Sequence, residues 1–355
     1  MESAVDLDWF GKEPSQGVRK IWRALQVLFF GLGVGLLVLL GIKPKLGLNL
    51  FWNLWIPLAP ALLLLIPGFW RNVCPLATGS LIPRRFSLAL GLRAGRLTMG
   101  FFRGLGVLAL LIIVPLRHPF FDHDASLTLL LFALLIFSAL VFGMVFEWKA
   151  GWCAGACPIH PVERLYGKRS LAQFSNVQCD HCASCVPRCP DSIPNDRPFR
   201  GKRSGFFQFL DGAFFPGFFP GFIWGWFQVP NFLGHWIWGD LVSTYSYPLL
   251  GGLFTLFLFS VLLALIPQQR RPLLPLFFAN IAIGCYYWFR IPALFGMGPY
   301  PGDGMLINLK ASFPGWIEPL IHLGVFLLML LWFLRGIQRK SSSWLHRPRI
   351  SSTLR

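Results

Sequence analysis

The sequence predicts an all-α polytopic membrane protein of about eight transmembrane helices. Three observations support this fold class. The chain of 355 residues is 55% hydrophobic and only 13% charged, whereas a soluble domain is about 25% charged. Long apolar stretches recur along it. The basic residues are concentrated between those stretches rather than within them.

Each predicted span is an apolar stretch of roughly 18–25 residues, long enough for a helix to cross about 30 Å of hydrocarbon. The stretches lie at 22–41, 50–69, 99–116, 126–146, 213–237, 243–266, 273–293 and 315–334. The fifth is the least regular, because FFPGFFPGFIWGWFQVP is rich in proline, glycine and aromatic residues. It fits a kinked span, a re-entrant segment or an interfacial helix, since irregular backbone is tolerated in a membrane only where protein covers it.

Lysine and arginine predict the side on which each loop lies. Of the 32 basic residues, 27 fall in segments 1–23, 70–103, 147–204, 270–271 and 335–355. The positive-inside rule places all of these segments in the cytoplasm. An even number of spans must then separate 147–204 from 270–271, so 213–237 is expected to cross. Eight spans with both termini inside satisfy the pattern.

The predicted organisation has four parts. Residues 1–146 form a four-helix membrane region of two hairpins, and 147–204 form a cytoplasmic segment. Residues 205–335 form a second membrane region, and 336–355 form a basic cytoplasmic tail. The N-terminus is too polar for a signal peptide, so the first span is expected to stay as an anchor. The net charge of +17 is explained by topology rather than by nucleic-acid binding.

Four cysteines lie close together in QCDHCASCVPRCP, within the segment 147–204. Cys179, Cys182, Cys185 and Cys189 have the spacing C-x2-C-x2-C-x3-C-P. This spacing is typical of bacterial ferredoxins that hold [4Fe–4S] clusters. A zinc site usually pairs one C-x2-C with a distant second pair, so iron–sulfur is the better interpretation. The sequence therefore predicts a small ferredoxin-like iron–sulfur loop on the cytoplasmic side.

The number of clusters is left open, because in two-cluster ferredoxins the fourth cysteine of such a run ligates the other cluster. Either all four cysteines share one cluster, or Cys189 serves a second centre. Candidates for additional ligands are Cys74, before a proline, and Cys153 and Cys157, in C-x3-C-P. The alternative for these three thiols is burial at a helix end.

The segments around Cys74-Pro75 and Cys157-Pro158, called the first and second CP segments below, suggest a weak internal repeat. Each follows an apolar hairpin, and Trp70 stands where Cys153 stands when the segments are aligned on CP. One cysteine of the repeat is therefore missing from the first copy. Cys285 lies within a predicted span and is expected to be a buried, small apolar residue.

The hairpin, the C-x3-C-P motif and the ferredoxin run together resemble the membrane-bound polyferredoxins, the family of NapH-, NosR-, MauN- and CcoG-type iron–sulfur membrane proteins. The resemblance covers roughly residues 50–190. It implies a bacterial cytoplasmic (inner) membrane location, clusters facing the cytoplasm, and electron transfer between quinol and an oxidoreductase or its maturation. This chain has one complete copy of each motif where the family often has two. One cluster is therefore expected, and a second is left open.

Other polar groups carry weaker hypotheses. Haem would need facing axial histidines inside the bundle, and only His322 lies clearly within a predicted span. The outer loop 118–124 contains His118, Asp122, His123 and Asp124. It is interpreted as a metal or partner site or, alternatively, as a solvated loop. Glu318 and His322 could accept a proton from a quinol or form an interfacial pair.

We therefore expect a membrane-anchored iron–sulfur subunit that passes electrons between a quinone pool or cytoplasmic donor and a partner oxidoreductase. The alternative is an assembly or structural subunit of a membrane respiratory complex with a structural cluster. No catalytic residue is predicted, so an electron-transfer component is favoured over a stand-alone enzyme. The expected partners are other subunits of a membrane redox complex and quinone or lipid.

Overall fold

The computed structural model describes residues 10–11, 15–92, 94, 96–146, 149–167, 172, 209–232, 238–300, 302–338 and 347–348. Within these ranges the chain is nearly all helical. The predicted ferredoxin run from Cys179 to Cys189 lies outside the described residues, as does most of the predicted segment 147–204.

The elements follow one another in a simple order. The α-helices are α1 Gln16–Ile42, α2 Pro44–Asn49, α3 Ile56–Leu65, α4 Pro67–Val73, α5 Pro75–Ser80, α6 Ile82–Arg85, α7 Arg96–Ile113, α8 Ala125–Val145, α9 His160–Gly167, α10 Phe215–Trp226, α11 Trp238–Leu265, α12 Leu274–Leu294 and α13 Ile317–Gln338. Wider π-helical turns at Leu50–Trp55, Lys149–Ala156 and Leu210–Phe214 lead into α3, the CP turn before α9, and α10. Short 3-10 turns lie at Pro115–Arg117 and Arg271–Leu273.

Seven helical stretches in the described part of the chain are long and apolar enough to span a membrane. They are Gln16–Ile42, Pro44–Leu65, Leu97–Arg117, Ala125–Val145, Trp238–Leu265, Leu273–Leu294 and Ile317–Gln338. Each coincides with one of the predicted spans, so the prediction of a multi-pass all-α membrane protein is confirmed. Most of their apolar side chains face outward, as expected where lipid is the solvent.

The predicted fifth span, 213–237, differs from the others. Its helical part ends at Trp226, and the chain turns through Phe227 and Gln228 before Pro230. Every residue of α10 except Trp224 is buried. A helix that is apolar on all sides belongs in the centre of a bundle, and α10 packs against both α11 and α12. The proline, glycine and aromatic residues thus mark a short helix enclosed by protein.

Glycines bring α10 and α11 into backbone contact. A Cβ on Gly217 would lie 2.9 Å from the Cβ of Phe259, and one on Gly225 would lie 2.2 Å from the carbonyl oxygen of Tyr247. The two helices are therefore antiparallel, since the chain numbers run in opposite directions. Twelve residues of α11 separate those contacts, which is about 18 Å of helix. Helix α10 thus accompanies α11 through much of its length.

The two ends of the described chain lie beside each other. The two-residue strands β1 (Phe10–Gly11) and β2 (Arg347–Pro348) pair in parallel, with Phe10 opposite Arg347. Strand β1 precedes α1 and β2 follows α13, so the start of the first long helix and the end of the last one lie near each other.

The contact between α10 and α11 predicts opposite effects for two alanine substitutions. In Gly221→Ala, the new Cβ would lie 1.8 Å from the carbonyl oxygen of Gly251. We expect a loss of about 1–3 kcal/mol or more in the free energy of unfolding. The control is Gly35→Ala in α1, where a Cβ meets nothing within 4 Å. It should be neutral or stabilise by up to about 1 kcal/mol. Thermal unfolding midpoints in detergent measure both, and equal shifts would contradict the packing.

Candidate functional site

The two CP segments build the same local turn around a cysteine. In the first, α4 ends before Cys74, whose backbone N–H donates to the carbonyl of Trp70 at 2.8 Å. Pro75 cannot continue that hydrogen-bond pattern and begins α5 instead. In the second, the N–H of Cys157 donates to the carbonyl of Trp152 at 3.0 Å. Each cysteine therefore stands where one helical segment stops and the next begins.

The two segments pack reciprocally. Helix α5, which follows Cys74, packs against α8 of the second hairpin, and α9, which follows Cys157, packs against α3 of the first hairpin. Glycines permit the approach. A Cβ on Gly143 would lie 2.0 Å from the carbonyl oxygen of Ser80, and one on Gly106 would lie 2.9 Å from that of Cys157. Neither CP turn is therefore a free surface loop.

Cys157 lies inside the bundle. Its backbone packs on Gly106 of α7, which is about 14 Å along the helix axis from Leu97, where that span begins. The residues from Gly151 to Ala156 are all buried. The second CP segment thus re-enters the bundle, which is tolerated because protein covers its irregular backbone.

A buried ion pair joins the two CP segments. Arg71 Nε donates to Glu163 Oε1 at 2.9 Å, and Arg71 Nη2 donates to Glu163 Oε2. Both side chains are at most 5% exposed. His160 Nδ1 lies 3.8 Å from Glu163 Oε2. Arg71 precedes Cys74 by less than one turn, and Glu163 lies on the helix that follows Cys157. A bidentate arginine–carboxylate contact fixes the relative orientation of the two side chains as well as their distance.

The thiols of the CP segments are neighbours and are held in their neutral form. Burial raises the pKa of Cys74, although backbone N–H groups of Ala77 and Leu76 oppose the shift. Burial, together with a smaller contribution from the nearby Cys74, raises the pKa of Cys157 to about 12. The pKa of Cys153 is raised well above its ordinary value, mainly by burial, with Arg71 opposing the shift and Cys157 adding to it.

These three thiols do not make a metal site by themselves. Among the described residues, no group of three or more histidine, cysteine, aspartate or glutamate side chains is placed to hold a metal ion. A cluster that used Cys74, Cys153 or Cys157 would therefore also need ligands from outside the described ranges. The predicted ligands Cys179, Cys182, Cys185 and Cys189 all lie there.

An apolar cavity of about 450 Å³ runs from the CP segments toward the opposite end of the bundle. Cys74 and Cys157 line one end. Its walls are aliphatic and aromatic side chains of α1, α3, α7 and α8. The other end is bordered by Trp52, Arg117, Trp226 and Tyr286. A cavity of this size and lining is typical of small-molecule sites.

Arg117 closes the far end of the cavity through charge and aromatic contacts. Its Nε donates to Asp122 Oδ1 at 2.9 Å, and its Nη2 donates to Oδ2 at 3.3 Å. Its guanidinium carbon lies 4.4 Å from the ring centroid of Trp52 and 5.0 Å from that of Trp226. A cation between two indole faces is favourable, so the side chain is fixed in place.

The loop 118–124 turns its first residue, His118, inward. His118 is 4% exposed and stacks on Trp226 with ring centroids 4.8 Å apart. Its Nδ1 lies 2.6 Å from Asn231 Oδ1, and its Nε2 lies 3.0 Å from the carbonyl oxygen of Trp226. Burial lowers the pKa of His118, and these hydrogen bonds oppose the shift. Asp124 instead begins α8, accepting from the N–H of Ser126 at 2.7 Å.

A second buried cation, Arg290, lies beside this loop. Its Nη2 donates to the carbonyl oxygen of Trp52 at 2.7 Å and to Asn53 Oδ1 at 2.5 Å. A small cavity of about 30 Å³ adjoins Arg290, His118 and Asp303. That volume admits about one or two water molecules. Burial raises the pKa of Asp303, and the hydrogen bond that it accepts from the backbone N–H of Asn231 opposes this shift.

The remaining predicted residues are placed as follows. His322 stacks on Trp288 with ring centroids 4.1 Å apart, and Glu318 lies at the start of the same helix. Cys285 is partly buried and packs against the main core, as expected of a small apolar residue.

No protein-family model matches the chain, and no characterised protein or solved structure is significantly similar to it.

Sequence reasoning missed the Arg71–Glu163 pair and the inward position of Arg117 and Arg290. Arg71 enters the sequence analysis only as one of the basic residues of segment 70–103, and Glu163 is assigned no role there. Arg117 and Arg290 did carry a usable signal. They lie toward the predicted non-cytoplasmic face, where the positive-inside rule predicts few basic residues.

The buried pair predicts a strong effect of removing one charge. Glu163→Gln leaves Arg71 buried without its counter-charge, so we expect a loss of about 3–5 kcal/mol in the free energy of unfolding. The double variant Arg71→Met with Glu163→Leu removes both charges and should recover most of that loss. Thermal unfolding in detergent measures each. Lys310→Gln, at an exposed position, is the control and should change little. A double variant as unstable as Glu163→Gln would contradict the pairing.

Proposed function

We propose that this protein is a membrane-anchored iron–sulfur subunit that passes electrons between the quinone pool or a cytoplasmic donor and a partner oxidoreductase. One observation carries the proposal: the ferredoxin-type run of Cys179, Cys182, Cys185 and Cys189 in a chain with seven membrane-spanning helices. On this proposal the protein is one component of an oxidoreductase, with other subunits of a membrane redox complex as partners.

The ferredoxin spacing fits one [4Fe–4S] cluster. Cys179, Cys182 and Cys185 would hold three of its irons. Cys189 would hold the fourth, or else a CP thiol would do so while Cys189 serves a second centre. The neutral, buried thiols of Cys74 and Cys157 would have to lose their protons to ligate iron. When bound, the cluster supplies a one-electron carrier.

The attachment of the run to the bundle supports the proposal. Helix α9 carries Glu163, packs on α3, and ends at Gly167, shortly before the run begins. Through the Arg71–Glu163 pair the same helix is held to the first CP segment. The chain thus leads toward the run from a helix that is anchored in the bundle by a buried ion pair.

Iron counting tests the proposal directly. We expect purified protein to contain about four iron atoms and four acid-labile sulfides per chain and to give a cluster EPR signal on reduction. Cys182→Ser should remove the signal and the iron, whereas Cys285→Ser, outside the proposed ligands, should retain both. Protein free of iron and sulfide would overturn the proposal. About eight iron atoms per chain would indicate a second cluster.

The alternative function is a structural or assembly subunit, and the same variant separates the two. If the cluster transfers electrons, Cys182→Ser should abolish electron flux through the partner complex while the complex still assembles. If the cluster only stabilises the loop, the complex itself should fail to assemble. Native gel electrophoresis together with flux measurements in membranes distinguishes these outcomes.

We further propose a bacterial inner-membrane location with both termini and the run in the cytoplasm, supported by the distribution of basic residues. Gln268 and Lys310 are exposed residues on either side of α12. In right-side-out vesicles, a membrane-impermeant maleimide should label Lys310→Cys at once and Gln268→Cys only after permeabilisation. The reverse labelling would invert the proposed orientation.

A further inference from the structure

We propose that the 450 Å³ cavity is a binding site for a neutral lipid-soluble molecule with a long apolar chain and a carbonyl-bearing head. Its head would lie at the end bordered by Tyr286, Trp226 and Arg117. A respiratory quinone and a glycerolipid ester share this chemistry. The assignment deepens the proposed function, because a quinone held there would be the membrane-side electron carrier.

The wall of the cavity argues for the apolar chain. The cavity is bordered along its length by residues such as Val34, Leu37, Leu110, Ile136 and Phe219. Its volume lies within the roughly 300–1,000 Å³ range of ligand sites. The cavity lies among membrane-spanning helices, where a molecule dissolved in the bilayer can reach it.

Two buried donors argue for a head group with acceptor oxygens. The hydroxyl of Tyr286 and the indole N–H of Trp226 are both buried, and within the described part of the chain neither has a hydrogen-bond partner. Both residues border the cavity. Leaving a buried donor without an acceptor is unfavourable. A small turn of either side chain toward the cavity would let a ligand carbonyl or ester oxygen accept from it.

The charges at this end favour a neutral head. Arg117 is already paired with both carboxylate oxygens of Asp122, and its guanidinium lies over Trp52 and Trp226. Arg290 donates to Trp52 and Asn53 and borders the neighbouring small cavity. The cations beside the two donors are therefore already engaged.

The head-group end is separate from the thiol end. Arg117 lies about 16 Å from Gly106 along the span Leu97–Arg117, and Cys157 packs on Gly106. A ligand in the cavity would thus connect the CP segments to the opposite part of the bundle, with its head remote from the thiols.

A matched pair of variants tests occupancy. Leu110 borders the cavity, whereas Leu108 on the same helix is 54% exposed and does not. Full-length protein is purified, and its bound lipids are extracted and measured by mass spectrometry. We expect about one quinone or glycerolipid per chain in the wild type and in Leu108→Trp, and at least a tenfold loss in Leu110→Trp. The identity of the extracted molecule assigns the source. No bound molecule in the wild type, or equal amounts in both variants, would overturn the proposal.

The head-group position has its own test. A short-chain quinone is titrated into the wild type and Tyr286→Phe, and binding is measured by quenching of tryptophan fluorescence. We expect saturable binding in the wild type, weakened about tenfold by loss of the hydroxyl. Unchanged affinity in Tyr286→Phe would overturn the head-group placement. Iron content should be the same in every one of these variants. A failure here therefore leaves the iron–sulfur result standing, and the converse also holds.

Discussion

The buried ion pair between Arg71 and Glu163 is the interaction on which the arrangement of the site depends. A charge inside a membrane protein is tolerated only with a counter-charge and hydrogen bonds. Arg71 and Glu163 therefore fix each other's position. Arg71 precedes Cys74 in the first CP segment, and Glu163 follows Cys157 in the second. The pair therefore fixes two irregular segments against each other. The positions of the thiols, and of the end of the cavity that Cys74 and Cys157 line, follow from that contact.

Glycine supplies the second constraint, because helices in lipid gain little from hiding apolar surface from one another. Close contact between backbones holds the helices together instead. It occurs at Gly143 with Ser80, at Gly106 with Cys157, and at Gly221 with Gly251. These contacts hold the CP turns and α10 at fixed depths. A rigid frame of this kind can enclose a cavity without collapsing into it, and the aromatic residues of α10 form part of that frame.

Hydropathy and charge predicted most of the fold, since lipid-facing spans must be apolar along their whole length. They did not predict that 213–237 contains a shorter helix enclosed by protein, because a buried helix and a lipid-facing one are equally apolar. They could not pair Arg71 with Glu163, since 92 residues separate them and Arg71 also fits a topology signal. The CP spacing did indicate that Cys74, Cys153 and Cys157 belong together. The ferredoxin ligands Cys179–Cys189 lie outside the described residues and stay a prediction.

The two CP turns differ by one residue of register. The backbone N–H of Cys74 donates to the carbonyl of the fourth residue before it. The N–H of Cys157 donates to the carbonyl of the fifth residue before it, which lies in the wider turn Lys149–Ala156. One residue corresponds to a rotation of about 100° around a helix axis. The side chains before the two cysteines therefore do not superpose, although the helices around them pack as a pair. The same sequence pattern thus builds two CP turns of different geometry, and the two sides of the thiol cluster are not equivalent.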